Sequence, residues 1–114
     1  MAGNVIASFG APNVMTDAAT VTMDCSAGAQ YSWLLTATGR TLAFTGMAQG
    51  QVVTLEVVQD ATGSRTITTY TNVTWAAGTP PTLTTAANAT DVLRFTWNAT
   101  AGKWRGETVG KAFA

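Results

Sequence analysis

Side chains suited to acid–base or metal chemistry near neutral pH are few in this sequence: six carboxylates, one cysteine and no histidine. The missing histidine removes the commonest general base and metal ligand. With Cys25 alone, no thiolate–imidazole zinc site can be assembled within one chain. The carboxylates (Asp17, Asp24, Glu56, Asp60, Asp91 and Glu107) stand singly, without the close acidic spacing of a calcium loop. A pair brought together by folding, as in a glycosidase, is the one catalytic arrangement left open. Asp60 and Asp91 fit turns better, where a short carboxylate accepts backbone N–H groups. Gly102-Lys103-Trp104-Arg105-Gly106 and Gly63-Ser64-Arg65 lack the spacing of a phosphate loop and open no helical pattern. The expectation is a protein that is not an enzyme and carries no metal and no cofactor.

Aromatic residues are the better candidates for contact. A flat ring covers much area at low entropy cost, which enriches tryptophan at interfaces and at sugar-stacking sites. Trp33 and Trp97 fall on alternating apolar faces and read as core. Trp75 stands beside the Gly78-Thr79-Pro80-Pro81 loop, and Trp104 lies between Lys103 and Arg105. In a strand Trp104 would project opposite to those two cations, as a core residue does. At the ends, residues 1–13 carry Phe9 and Pro12, and residues 108–114 carry Phe113. Both stretches read as docking arms, because apolar residues in loose termini become ordered on a partner. The interface candidates are therefore Phe9, Pro12, Trp75, Pro80, Pro81, Trp104 and Phe113. Packing under a loop of the same domain competes with contact at each of them.

These residues must be positioned by strands. Gln51 to Gln59 alternates, with Val53, Leu55 and Val57 on one face. Leu93, Phe95 and Trp97 alternate with Arg94 and Thr96, and Tyr31, Trp33 and Leu35 alternate with Ser32 and Leu34. Shorter strands are expected at Val5 to Phe9, Thr20 to Asp24, Thr41 to Phe44, Arg65 to Tyr70 and Lys103 to Val109. Ala37-Thr38-Gly39, Asp60 to Ser64 and Asn98 to Gly102 have the turn chemistry of hairpin loops. No helical period is sustained anywhere. The expectation is a single all-β domain over residues 1–114, an antiparallel β-sandwich or flattened barrel, jelly-roll-like, of roughly eight short strands.

Charge narrows the partners. Six basic and six acidic residues give a formal net charge of +0, so nothing supplies the basic patch that nucleic acid requires. No run approaches the ~20 apolar residues that cross a bilayer, and no secretory signal opens the chain, so no membrane partner is expected. Threonine makes up about a fifth of the residues. An uncharged polar surface of this kind has little repulsion to keep copies apart, which suits packing against neighbours.

A series of blocks between Thr41 and Trp97 carries a resemblance. It runs from Gly50-Gln51-Val52-Val53-Thr54-Leu55 through Gln59-Asp60-Ala61-Thr62-Gly63-Ser64-Arg65-Thr66 to Trp75-Ala76-Ala77-Gly78-Thr79-Pro80-Pro81-Thr82-Leu83. It ends in Thr84-Thr85-Ala86-Ala87-Asn88-Ala89-Thr90-Asp91-Val92-Leu93. This series resembles a segment of tailed-bacteriophage virion proteins, found in tail fibres, head fibres and other particle-surface proteins. The resemblance implies a β-module of the virion, made in the bacterial host cytoplasm. The short chain, without a shaft, favours a capsid decoration (cement) protein bound as a homotrimer to the major capsid protein on the outer head surface. The alternative is a carbohydrate- or receptor-binding module of a head or tail fibre, with surface glycans as partners.

Overall fold

The computed structural model describes residues 13–114. Phe9, Pro12, the expected strand at Val5 to Phe9 and most of the N-terminal arm lie outside the described residues. Nine strands follow in order: β1 (Asn13–Met15), β2 (Thr20–Asp24), β3 (Gln30–Leu35), β4 (Arg40–Thr45), β5 (Val52–Gln59), β6 (Ile67–Tyr70), β7 (Val73–Trp75), β8 (Thr90–Asn98) and β9 (Lys103–Phe113). The only helical turn among them is a 3-10 turn at Ala76–Gly78. The strands form a six-stranded sheet, β1-β3-β5-β8-β9-β7, and a three-stranded sheet, β2-β4-β6. The expected all-β, two-layer architecture is therefore present.

Alternation decides which side chains meet between the layers, because successive residues of a strand point to opposite faces. The large sheet buries Tyr31, Trp33, Leu35, Val53, Leu55, Val57, Leu93, Phe95 and Trp104, and the small sheet buries Val21, Met23, Leu42 and Ile67. All belong to one apolar cluster. Free Cys25 is buried in it, and burial, with the Asp24 charge second, pushes its thiol up to about 11. It stays a protonated packing group.

Strand direction differs from the antiparallel expectation. β1, β3 and β5 pair in parallel, with Asn13 opposite Tyr31 and Gln30 opposite Thr54. β2, β4 and β6 are also parallel, with Thr20 opposite Thr41 and Arg40 opposite Ile67. The chain thus winds three times between the layers, laying one strand in each sheet per coil. The antiparallel pairings are both made by β8, with β5 on one side and β9 on the other, and Asn98 to Gly102 is the one expected hairpin loop that closes a hairpin. Ala37-Thr38-Gly39 and Asp60 to Ser64 are corners between sheets. Hairpin loops and layer corners need the same turn chemistry, so only long-range pairing separates them.

Polar side chains tie the corners to one another. Asp17, after β1, accepts hydrogen bonds from Trp33 Nε1 (2.7 Å), from the Thr36 amide and hydroxyl (3.1 and 2.5 Å), and from Arg40 (2.7 Å). On the opposite side, the single Tyr31 hydroxyl proton is shared between the Asp24 and Gly28 carbonyls (2.6 and 2.8 Å), and Gln51 Nε2 donates to the Cys25 carbonyl (2.5 Å). Buried Gln59 donates to the carbonyls of Arg65 and Thr84 and accepts from the Arg65 amide. Buried Asp91 accepts from the amides of Thr84 and Ala112, fixing the 79–89 loop and the end of β9. Residues 108–113 are consequently strand, with Gly110 opposite Val92 and Phe113 opposite Thr90, rather than the loose arm expected there.

Candidate functional site

The irregular stretch around β7 is where the surface is concave and aromatic. Asn72, with φ 57°, turns the chain out of β6, and its carbonyl accepts the Trp104 amide (2.9 Å). β7 then lies parallel to β9, with Trp75 opposite Gly106. That glycine is required: a Cβ there would stand 2.6 Å from the Trp75 ring. Tyr70 and Phe95 meet the Trp75 ring edge-on, at centroid distances of 5.0 and 5.7 Å. The indole is thereby held in one orientation while half-buried. After Trp75 the chain reverses through Ala77 and Gly78, both at positive φ, and exposes Pro80.

Two depressions flank β7. The first, about 280 Å³, is bounded by Thr68, Tyr70, Trp75, Gly78 and Pro80. The second, about 420 Å³, is bounded by Thr96, Arg105, Gly106, Glu107 and the β7 end. Thr74 and Trp75 border both. The Tyr70 hydroxyl is buried and has no hydrogen-bond partner among the described residues. Burial pushes its phenol well above the ordinary range, with the Asp91 charge adding to the shift. In the second depression, Arg105 donates to the Thr74 hydroxyl (2.9 Å), which itself donates to the Trp104 carbonyl (3.1 Å). Aromatic rings, the fixed Thr74 hydroxyl and the Arg105 guanidinium thus line two adjoining depressions. Among the described residues, no group of three His, Cys, Asp or Glu stands together to hold a metal ion.

The other sequence candidates lie elsewhere. Pro81 is half-buried and does not border the Trp75 cleft. Trp104, offered as an interface residue, is fully buried. Its indole packs 4.9 Å from Phe44 and 5.2 Å from Trp97, because the alternation that turns Lys103 and Arg105 outward turns it inward. Phe113 is 54% exposed at the far end of β9, its ring folded over Gly110. Thr74, Tyr70 and Arg105 were not singled out by sequence reasoning. The signal for Arg105 was present in the same alternation that marked Trp104, whereas Tyr70 gave none, since Thr68 and Thr69 are both exposed.

No curated protein and no solved structure matches the chain. A family described as "Putative phage tail fibre C-terminal domain" matches residues 10–102. The match runs through β1 to β8 and includes Tyr70, Trp75 and Pro80, though not Arg105. It covers most of the chain, agrees with the tailed-phage resemblance of the Gly50 to Leu93 blocks, and makes the protein a virion component. The chain belongs to this family of phage tail fibre C-terminal domains.

Proposed function

We propose that the chain is the receptor-contacting module of a phage tail fibre and binds host-surface saccharides at the two depressions beside β7. The observation that carries this reading is the tail fibre family match over residues 10–102. It favours the fibre over the head decoration expected from chain length, with no role for the major capsid protein. The site supports it: a fixed indole and proline offer apolar surface, and the Thr74 hydroxyl and Arg105 offer polar contacts. Ligand sites combine these features, apolar walls with a few placed polar groups. In this reading the module binds and releases its receptor chemically unchanged.

Homotrimeric association belongs to the same proposal. Leu34, Val58, Thr90 and Phe113 stand in one row across the outer face of the large sheet. Leu34 and Phe113 are exposed there, and Val109, earlier on β9, is exposed as well. Trimers would multiply weak saccharide contacts by avidity.

Adsorption tests the function. Host cells preincubated with the purified protein should bind fewer parent phage, and Trp75→Ala should weaken that block. Gold-labelled antibody should decorate fibres. Label spread over the head would return the protein to the decoration role. Light scattering at micromolar concentration should give three times 11.8 kDa; a monomer mass would remove the trimer.

A further inference from the structure

We infer that the depression bordered by Arg105 selects an anionic sugar, one bearing a carboxylate or a phosphate, from the saccharides the module meets. This rests on the reading of the chain as a saccharide-binding module and adds the chemical class of its ligand. The first argument is charge. Among the described residues, Arg40, Arg65 and Arg94 are each paired with a carboxylate (Asp17, Asp60 and Glu107, respectively). Arg105 is in no such pair. Glu107 borders the same depression, yet it is held by Arg94 at 2.6 Å, and Arg94 Nε also donates to it at 2.8 Å. The pair is neutral, so the depression carries the single positive charge of Arg105.

The second argument is preorganisation. A guanidinium has five N–H donors in a rigid fork. Arg105 spends one on Thr74, and the Thr74 hydroxyl is fixed in turn by the Trp104 carbonyl. The side chain is thus oriented before a ligand arrives, with donors left to receive an anion in the two-point geometry that suits carboxylate and phosphate. A space of about 420 Å³ lies within the usual range of small-ligand sites. Thr74 and Trp75 border this depression and the aromatic cleft alike, so a saccharide chain can place its acidic unit at Arg105 and its next unit beside Trp75.

Calorimetry on the full chain tests this with three probes of equal length. These are a galacturonic acid trisaccharide, a galactose trisaccharide, and a galactose trisaccharide carrying one phosphomonoester. An acidic probe should bind roughly tenfold or more tightly than the neutral one, as expected for charge-assisted hydrogen bonds, and the tighter acidic arm identifies the anion. Arg105→Gln should erase that preference, bringing the acidic and neutral probes to equal affinity, and Arg105→Lys should restore part of it. The preference should shrink between 50 and 300 mM salt. Tryptophan fluorescence of each variant confirms that the fold is kept. Equal binding of acidic and neutral probes by the wild type overturns the anion inference alone. Failure of all three probes to bind, with cell adsorption still blocked, overturns it together with the saccharide reading.

Discussion

Asp17 is the residue on which the first corners of the coil depend. Burial alone would raise its carboxyl, but hydrogen bonds from Arg40, Thr36 and Trp33 outweigh that and hold it at about 2, below its ordinary 3.8. A carboxyl lowered by folding stabilises the protein fully above its unfolded value and loses that contribution as pH falls towards the folded one. Melting temperatures should therefore fall between about pH 4 and pH 2, and Asp17→Asn should flatten part of that fall while lowering the plateau at pH 6. Only part flattens, because Asp60, held down chiefly by Arg65, and Asp24, held down by Ser26, titrate in the same direction. The β8 face offers a second contrast. Phe95 is fully buried against Phe44, Trp75 and Trp104, so Phe95→Ala should cost ~3–5 kcal/mol in urea unfolding through lost burial and a cavity. Arg94→Ala removes an ion pair whose side chains are 48% and 51% exposed, and should cost less than about 1 kcal/mol. Equal costs would mean that the Arg94 face is covered in solution.

At the scale of elements, the corner between β5 and β6 is set by Gly63. Its φ is +74°, and a Cβ there would stand 2.5 Å from the Thr85 carbonyl and 2.9 Å from the Ala87 amide. Gly63→Ala should lower stability by more than ~1 kcal/mol, since it adds a clash with backbone to an unfavourable conformation. A urea midpoint unchanged by this substitution would show that the 79–89 loop yields easily. Strand positions were legible in the sequence wherever a strand buries one face: Val53, Leu55 and Val57, then Leu93 and Phe95, keep strict alternation and are all buried. Partners were not legible. The short loop at Ala37 to Gly39 has the composition of a hairpin, yet β3 pairs with β5 and β4 with β6, across separations that no local signal marks. The site was half legible for a related reason. Trp75 and Pro80 were visible from residue type alone, a large flat ring and a proline that cannot continue a sheet. Tyr70 and Arg105 acquire their roles only when β6 and β9 are brought to either side of β7.

At the scale of the molecule, β5 joins two constructions: the parallel coil on its β3 side and the antiparallel hairpin on its β8 side. Their routes of formation differ. The β8–β9 hairpin closes a short loop, an event of microseconds, while each parallel pairing joins residues from successive coils and must first close a long one. Loop-closure entropy opposes the coil until a template strand is in place. Folding should therefore nucleate at β8 and β9, recruit β5, and then propagate coil by coil towards β1. Pulse-labelled hydrogen exchange should show amides of Leu93, Phe95 and Trp104 protected first and those of β2 last. Simultaneous protection would point to a single diffuse transition state instead. The same order makes the chain sensitive to the direction of its synthesis. Within this domain β8 and β9 are synthesised after every other strand, so the N-terminal coils wait as unpaired strands until β9 emerges from the ribosome. The waiting β1–β4 segments are the part that a chaperone would have to shield.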